Sequence, residues 1–190
     1  ATMFTGVNTL FNGLLHTPGF DEVDFSSLKV CVGGGAAVQD AIADKWRNLT
    51  GVRLCEGYGL SETSPVASLN LERIVDGEIN YISGIGVPIP NTDISIRDDD
   101  GNIVAQGESG ELCVKGPQVM QGYWNNDAAT AECMTDDGYF KTGDIAMLDD
   151  QGFFHIVDRK KDMIIVSGFN VFPNEIEAVI ANMDGILESA

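Results

Sequence analysis

Apolar residues recur along this chain with two periods, and the change from one to the other divides it. Val7, Leu10, Phe11, Leu14 and Leu15 fall at helical spacing and Pro18-Gly19 closes the run, which predicts an amphipathic helix with one buried face. Leu28 to Val32 reads as a short buried strand running into Gly33-Gly34-Gly35. From Val38 to Leu49, Ile42, Trp46 and Leu49 share one helical face, and Gly51 marks the stop. A second apolar strand, Arg53 to Cys55, leads into the loop Gly57-Tyr58-Gly59-Leu60-Ser61-Glu62-Thr63. This order predicts an α/β layer with two loops at the carboxyl ends of neighbouring strands, where open α/β sheets bind ligands.

From about Tyr81 the segments become short and alternating. Asp93 to Arg97, Glu111 to Lys115, Ile145 to Leu148 and Phe153 to Val157 are separated by Gly and Asp turns and predict a small antiparallel barrel or sandwich. Asn126 is placed to cap a short helix over Asp127 to Cys133. The acidic runs Asp98-Asp99-Asp100 and Asp149-Asp150 stand close to glycines and read as hairpin turns. After Asp158 come the basic residues Arg159-Lys160-Lys161, a strand from Met163 to Val166, a turn at Ser167-Gly168, and a helix from about Pro173 to Met183. Three divisions follow: 1–80 as α/β, 81–158 as an antiparallel β subdomain, and 159–190 as a hinge with the start of a further unit.

Composition narrows the function. A chain of 190 residues buries a sizeable core, and 44% hydrophobic with 21% charged residues is ordinary for a globular protein. No apolar run approaches the roughly 20 residues of a membrane span, and no signal segment is evident. The net charge of −18, from 29 acids against 11 bases, disfavours a nucleic-acid partner or direct attraction to an anionic lipid surface. Cys31, Cys55, Cys113 and Cys133 form no CxxC pair, which points to a reduced, cytosolic compartment. His16 and His155 have no metal-ligand spacing and read as structural, which argues against a zinc site or a histidine triad.

Three polar clusters remain as candidate chemistry. Gly33-Gly34-Gly35-Ala36-Ala37 fits a plain strand-to-helix turn as well as a surface on which a flat base lies against the backbone. In the second cluster, the ring of Tyr58 between Gly57 and Gly59 can lie against a base. The Ser61 hydroxyl can bond a phosphate oxygen, and the Glu62 carboxylate can hold Mg²⁺ through hard oxygen. Pro65 and Val66 fit equally the start of a strand or the wall of an apolar pocket. Thr142-Gly143-Asp144 and Asp158-Arg159 complete the set; alone, each would read as an ordinary solvated or neutralising charge.

Taken in order, GYGLSETSP, GELCVKGPQVMQGYW, YFKTGD and DRKKDMIIVSGFNVFPNEIE resemble the adenylate-forming superfamily of acyl-CoA synthetases, adenylation domains and luciferases, over essentially the whole chain. The wording of GVNTLFNGLL, GGGAAV and the last motif is most similar to bacterial long-chain fatty-acid–CoA ligases. The resemblance implies part of the large α/β AMP-binding domain with its antiparallel subdomain, plus the start of the small α+β C-terminal domain. It implies ATP and Mg²⁺ as reactants with a fatty acid, giving acyl-adenylate and pyrophosphate, followed by displacement of AMP by coenzyme A.

Carried over by residue, Gly35, Ala36 and Ala37 would border the adenine and Tyr58 would stack on it. Ser61 would contact phosphate where many members have threonine, and Glu62 would bind Mg²⁺. Asp144 would accept hydrogen bonds from the ribose hydroxyls, with Arg159 near the same sugar. Lys161 falls at the family's hinge position. Ser167 and Gly168 would approach the path of coenzyme A, a reading that Gly168 shares evenly with that of an ordinary turn glycine.

The family's Ser/Thr/Gly-rich phosphate loop and its C-terminal catalytic lysine have no counterpart here, so the resemblance implies a partial enzyme that does not complete adenylation alone. It also implies cytoplasmic placement, with any peripheral contact at the inner membrane made through segments outside these residues. Aryl-CoA ligases and luciferases are disfavoured by Ile164-Ile165-Val166-Ser167-Gly168, which stands where those relatives commonly carry a lysine-containing run. A peptide-synthetase adenylation domain is a further alternative. A non-catalytic acidic scaffold is a third, disfavoured because it would have no chemical need to keep Tyr58, Ser61, Glu62, Asp144 and Arg159 together.

Overall fold

The computed structural model describes residues 1–35, 38–75, 78–166, 169–173, 176 and 179–180. The chain forms two compact units: Ala1–Thr92 with Pro117–Met120, and Asp93–Gly116 with the residues from Gln121 onward.

In the first unit the elements run β1 (Met3–Gly6), α1 (Asn8–Leu15), β2 (Val30–Gly34), α2 (Asp40–Thr50), β3 (Leu54–Gly59), β4 (Val66–Asn70), the paired strands β5 (Arg73–Val75) and β6 (Glu78–Asn80), and β7 (Val87–Pro88). Five of these form one mixed sheet in the order β1-β2-β3-β4-β7. The β1/β2 and β2/β3 pairs are parallel, while β3/β4 and β4/β7 are antiparallel. Helices α1 and α2 exist because their apolar residues repeat at helical spacing and have somewhere to be buried. Phe11, Leu28, Cys31, Ile42, Ala43, Trp46 and Leu54 form one core cluster. Within it Phe11 meets Trp46 edge-on at 4.8 Å, and Phe4 stacks on Trp46 at 6.0 Å. Helix α2 ends at Gly51, whose N–H donates to the Arg47 carbonyl.

The second unit holds β8 (Asp93–Arg97), β9 (Ser109–Lys115), α3 (Asp127–Cys133), β10 (Phe140–Leu148), β11 (Phe154–Arg159), β12 (Ile164–Val166) and β13 (Phe169–Val171). Four strands make an antiparallel sheet in the order β11-β10-β9-β8, and β12 pairs with β13. Ile94, Ile96, Leu112, Cys113, Val114, Phe140, Ile145, Ala146, Phe153 and Phe154 are its buried apolar residues. Asn126 caps α3, its side-chain oxygen accepting from the Ala129 N–H. Among the described residues no helix is long and apolar enough to cross a membrane.

The α/β architecture with an antiparallel subdomain is the one expected, and several boundaries move. The expected loop from Gly57 to Thr63 is a strand through Gly59, because β4 pairs antiparallel with it and extends the ladder; Ser61–Thr63 then form a 3-10 turn. Val66 opens β4, as one of its two readings had it. Strand β1 precedes the first helix and was not expected, its four residues being too few to show a period. The strand expected to begin at Ile145 begins at Phe140, so Thr142-Gly143-Asp144 lies inside β10. Strand β11, expected to end at Val157, runs on to Arg159.

Asp149 makes the expected tight turn: its Oδ1 accepts from the N–H groups of Gln151 and Phe153, and its Oδ2 lies 2.8 Å from His155 Nε2. Asp98 holds a wider turn through the N–H groups of Asp100 and Asn102. His16 contacts the Asn12 carbonyl at the end of α1. All four cysteines are free, and three of them are buried in β2, β3 and β9. The expected helix from Pro173 to Met183 falls largely outside the described residues.

Candidate nucleotide site

The expected site residues are divided between the two units, and each group has its own local construction. In the first unit, parallel pairing of β2 and β3 brings Gly34 opposite Gly57 and Gly33 opposite Glu56, so the two glycine-bearing strand ends are neighbours. Gly35 lies just past the end of β2 and is exposed. Ala36 and Ala37 lie outside the described residues. Tyr58, half-buried, pairs with Ser68 of β4, and the ladder shifts register between Tyr58 and Gly59.

The turn that follows is fixed by a residue the sequence reading passed over. Thr63 is fully buried, and its hydroxyl accepts from the Leu60 N–H at 2.9 Å and reaches the Pro65 carbonyl at 2.6 Å. One small side chain thereby closes both ends of the turn that carries Ser61 and Glu62. The segment Pro117–Met120 holds it from another side. The Met120 N–H donates to the Glu62 carbonyl at 2.8 Å, while Gln118 Nε2 donates to the Thr92 hydroxyl at 2.7 Å and the Val66 carbonyl at 3.3 Å. With its backbone pinned, Glu62 is half-buried and Ser61 is exposed.

Mg²⁺ keeps several waters and takes only one or two protein carboxylates besides substrate phosphates, so a single pinned glutamate suits it better than a cage. Among the described residues there is no group of three or more His, Cys, Asp or Glu that could hold a metal.

In the second unit Asp144 and Arg159 are paired residues of the β10/β11 ladder, and Arg159 Nε lies 3.9 Å from Asp144 Oδ1. Asp144 is mostly shielded, with 15% of its side chain exposed, against 62% for Arg159. A mostly shielded carboxylate beside an exposed guanidinium is suited to accept two hydroxyl hydrogen bonds.

The local backbone is a bulge with its own supports. The Thr142 hydroxyl donates to the Leu112 carbonyl at 2.8 Å and accepts from the Asp144 N–H at 3.1 Å. Gly143 has φ of 76°, a left-handed conformation that glycine adopts without steric cost. Its N–H donates to Glu111 Oε1 at 3.2 Å. Lys160 Nζ contacts Glu111 Oε2 at 3.0 Å and Asp99 Oδ1 at 2.8 Å, and the Asp99 contact chiefly raises the lysine's pKa. Gln118, Met120 and Glu111 were given no part in the site from the sequence, and Thr63, Thr142 and Lys160 were named there only as members of their clusters, without a role of their own. Long-range contacts give Glu111 its role, with Gly143 32 residues away and Lys160 49 residues away. Lys161 is exposed, and Ser167 and Gly168 lie outside the described residues.

Each unit thus carries its own braced polar group, an aromatic with a carboxylate in the first and an aspartate beside an arginine in the second. This chain belongs to the AMP-binding enzyme family, which it matches over residues 1–124. It is 55% identical to a long-chain-fatty-acid–CoA ligase of Salmonella typhimurium and 44% identical to one of Bacillus subtilis. These alignments cover 100% and 98% of this chain, and 33% of each relative. The crystal structure of ATP-bound MatB from Rhodopseudomonas palustris superposes on it with a TM-score of 0.86 at 33% identity, over 100% of this chain and 37% of that one. The chain thus spans about a third of the length of the curated relatives it matches.

Proposed function

We propose that this chain is the nucleotide-handling portion of a long-chain fatty-acid–CoA ligase, an enzyme that joins a fatty acid to AMP using ATP and then transfers the acyl group to coenzyme A. The observation that carries the reading is Asp144 held beside Arg159 on a braced bulge, in a chain of the AMP-binding family. The identity to long-chain ligases supports the choice of acid.

On this reading Tyr58 and Gly35 take the base, Ser61 contacts phosphate, and Asp144 accepts from the ribose hydroxyls with Arg159 adding positive charge beside the sugar. Glu62 would hold Mg²⁺, which would supply neutralisation of the phosphate charge. Lys161 is the hinge, and Ser167 with Gly168 borders the coenzyme A path. The protein works in the cytoplasm, with any contact at the inner membrane made peripherally.

Calorimetry with a non-hydrolysable palmitoyl-adenylate analogue tests this. The expected result is binding that is stronger than for acetyl- and aryl-adenylate analogues and that Asp144→Ala weakens by about tenfold or more, the scale set by charge-assisted hydrogen bonds. Equal affinity for all three acyl groups would count against the long-chain assignment. Affinity unaffected by Asp144→Ala would count against the ribose role.

A further inference from the structure

We infer that Glu111 and Lys160 are positioning residues that aim Asp144 at the ribose, an inference that rests on the nucleotide reading above. Asp144 stands where the ladder between β10 and β9 breaks. Lys141 pairs with Cys113, and pairing resumes at Ile145 with Glu111, so four steps along β10 (141 to 145) match two along β9 (113 to 111). On its β9 side this stretch has no ladder to fix where its side chains point, although Asp144 pairs with Arg159 on the β11 side. Gly143, next to Asp144, has a glycine's freedom to turn.

Glu111 and Lys160 supply the missing restraint. The Gly143 N–H donates to Glu111 Oε1 at 3.2 Å, and the Gly143 carbonyl accepts from the Lys160 N–H at 2.8 Å. The two side chains then close on each other, Lys160 Nζ to Glu111 Oε2 at 3.0 Å. Both backbone polar groups of the residue preceding Asp144 are therefore held, the N–H by the Glu111 carboxylate and the carbonyl by the Lys160 backbone N–H, and the ion pair links these two residues. The same pair fixes the residue after Arg159, so it brackets both members of the ribose-facing couple. Only 14% of the Glu111 side chain is exposed, so water competes poorly for it. Asp99 also reaches Lys160 but is 90% exposed, so its contact is screened and dispensable.

The test is ribose discrimination: the affinity for AMP divided by that for 2′,3′-dideoxyadenosine monophosphate, measured by calorimetry on the full chain and its variants alongside thermal melting. The unaltered chain is expected to prefer AMP by about tenfold or more, and Asp144→Ala to erase that preference. Glu111→Ala is expected to lower the preference by at least about threefold while leaving the dideoxy affinity unchanged, a split that loss of folding alone would not produce. Glu111→Gln retains an acceptor for Gly143 and is expected to recover part of the preference, whereas Asp99→Ala leaves it intact. Lys160→Met reads the same restraint from its other side should Glu111→Ala melt below the assay temperature, and is expected to lower the preference likewise.

Full discrimination in Glu111→Ala, or in Lys160→Met where Glu111→Ala does not stay folded, beside its loss in Asp144→Ala, would overturn the positioning role and leave the nucleotide reading standing. No discrimination in the unaltered chain, or discrimination that survives Asp144→Ala, would overturn the ribose reading and this inference together.

Discussion

The carbonyl oxygen of Pro65 occupies the space that a Cβ on residue 59 would need, so Gly59 is the only residue type that lets β3 and the start of β4 close against each other. Its obstacle is backbone, which has no rotamer to move aside. Gly59→Ala is expected to force the strands apart, at a cost of about 1–3 kcal/mol by analogy with overpacked interiors. A urea titration measures it. A midpoint equal to that of the unaltered chain would show that the close approach is dispensable.

Thr63 offers a complementary substitution. Valine has nearly the same shape but lacks the hydroxyl that accepts from the Leu60 N–H and reaches the Pro65 carbonyl. Because Thr63 is fully buried, water does not replace those bonds. Thr63→Val is expected to cost about 1–3 kcal/mol and, through the turn, to weaken adenylate-analogue binding. Thr63→Ser keeps the hydroxyl and is expected to bind as the unaltered chain does. Equal binding by Thr63→Val and Thr63→Ser would show that the turn does not depend on this hydroxyl.

The two substitutions also mark how far the sequence could be read. Helices α1 and α2 were legible because burial imposes a period on their apolar residues, and so were the alternating strands β8 and β9. The extent of β3 was not, since Gly57 and Gly59 have low strand propensity and are kept extended by pairing, Gly57 with both β2 and β4 and Gly59 with β4. Tyr58, Ser61, Glu62, Asp144 and Arg159 were legible as a set through resemblance, because their residue types sit in recognisable strings. Their supports were not. Thr63 is chemically unremarkable in a polar stretch, and the bond from Gly143 to Glu111 spans 32 residues with no local signal.

Trp46 of α2 is the point where Phe11 of α1, Phe4 of β1 and Phe20 of the turn after α1 meet. It is 1% exposed and touches the rings of Phe4, Phe11 and Phe20. Trp46→Ala removes that shared surface and leaves a cavity its rigid neighbours cannot fill, at an expected cost of about 3–5 kcal/mol. Trp46→Phe keeps part of the ring contact and is expected to lose less. Denaturant unfolding followed by far-UV circular dichroism ranks the two, and equal losses would mean that the cluster is not packed as described.

Arg97 and Asp137 make a two-pronged pair, Nη1 to Oδ1 at 3.1 Å and Nη2 to Oδ2 at 2.7 Å, with the Arg97 guanidinium over the Tyr139 ring. Hydrogen bonding from Arg97, then from Thr135, pulls the Asp137 carboxyl down to about 2. An unfolded aspartate titrates near about 3.9, so the folded form binds this proton less readily. The pair's stabilisation is therefore fully present above about pH 4 and is lost as pH falls toward about 2. Asp137→Asn cannot titrate. The expected outcome is that the unaltered chain is more stable than Asp137→Asn at pH 5 and that the gap narrows steadily between about pH 4 and about 2. Urea midpoints taken across that range decide the matter: a gap that stays constant would mean that Asp137 does not titrate as a partner of Arg97.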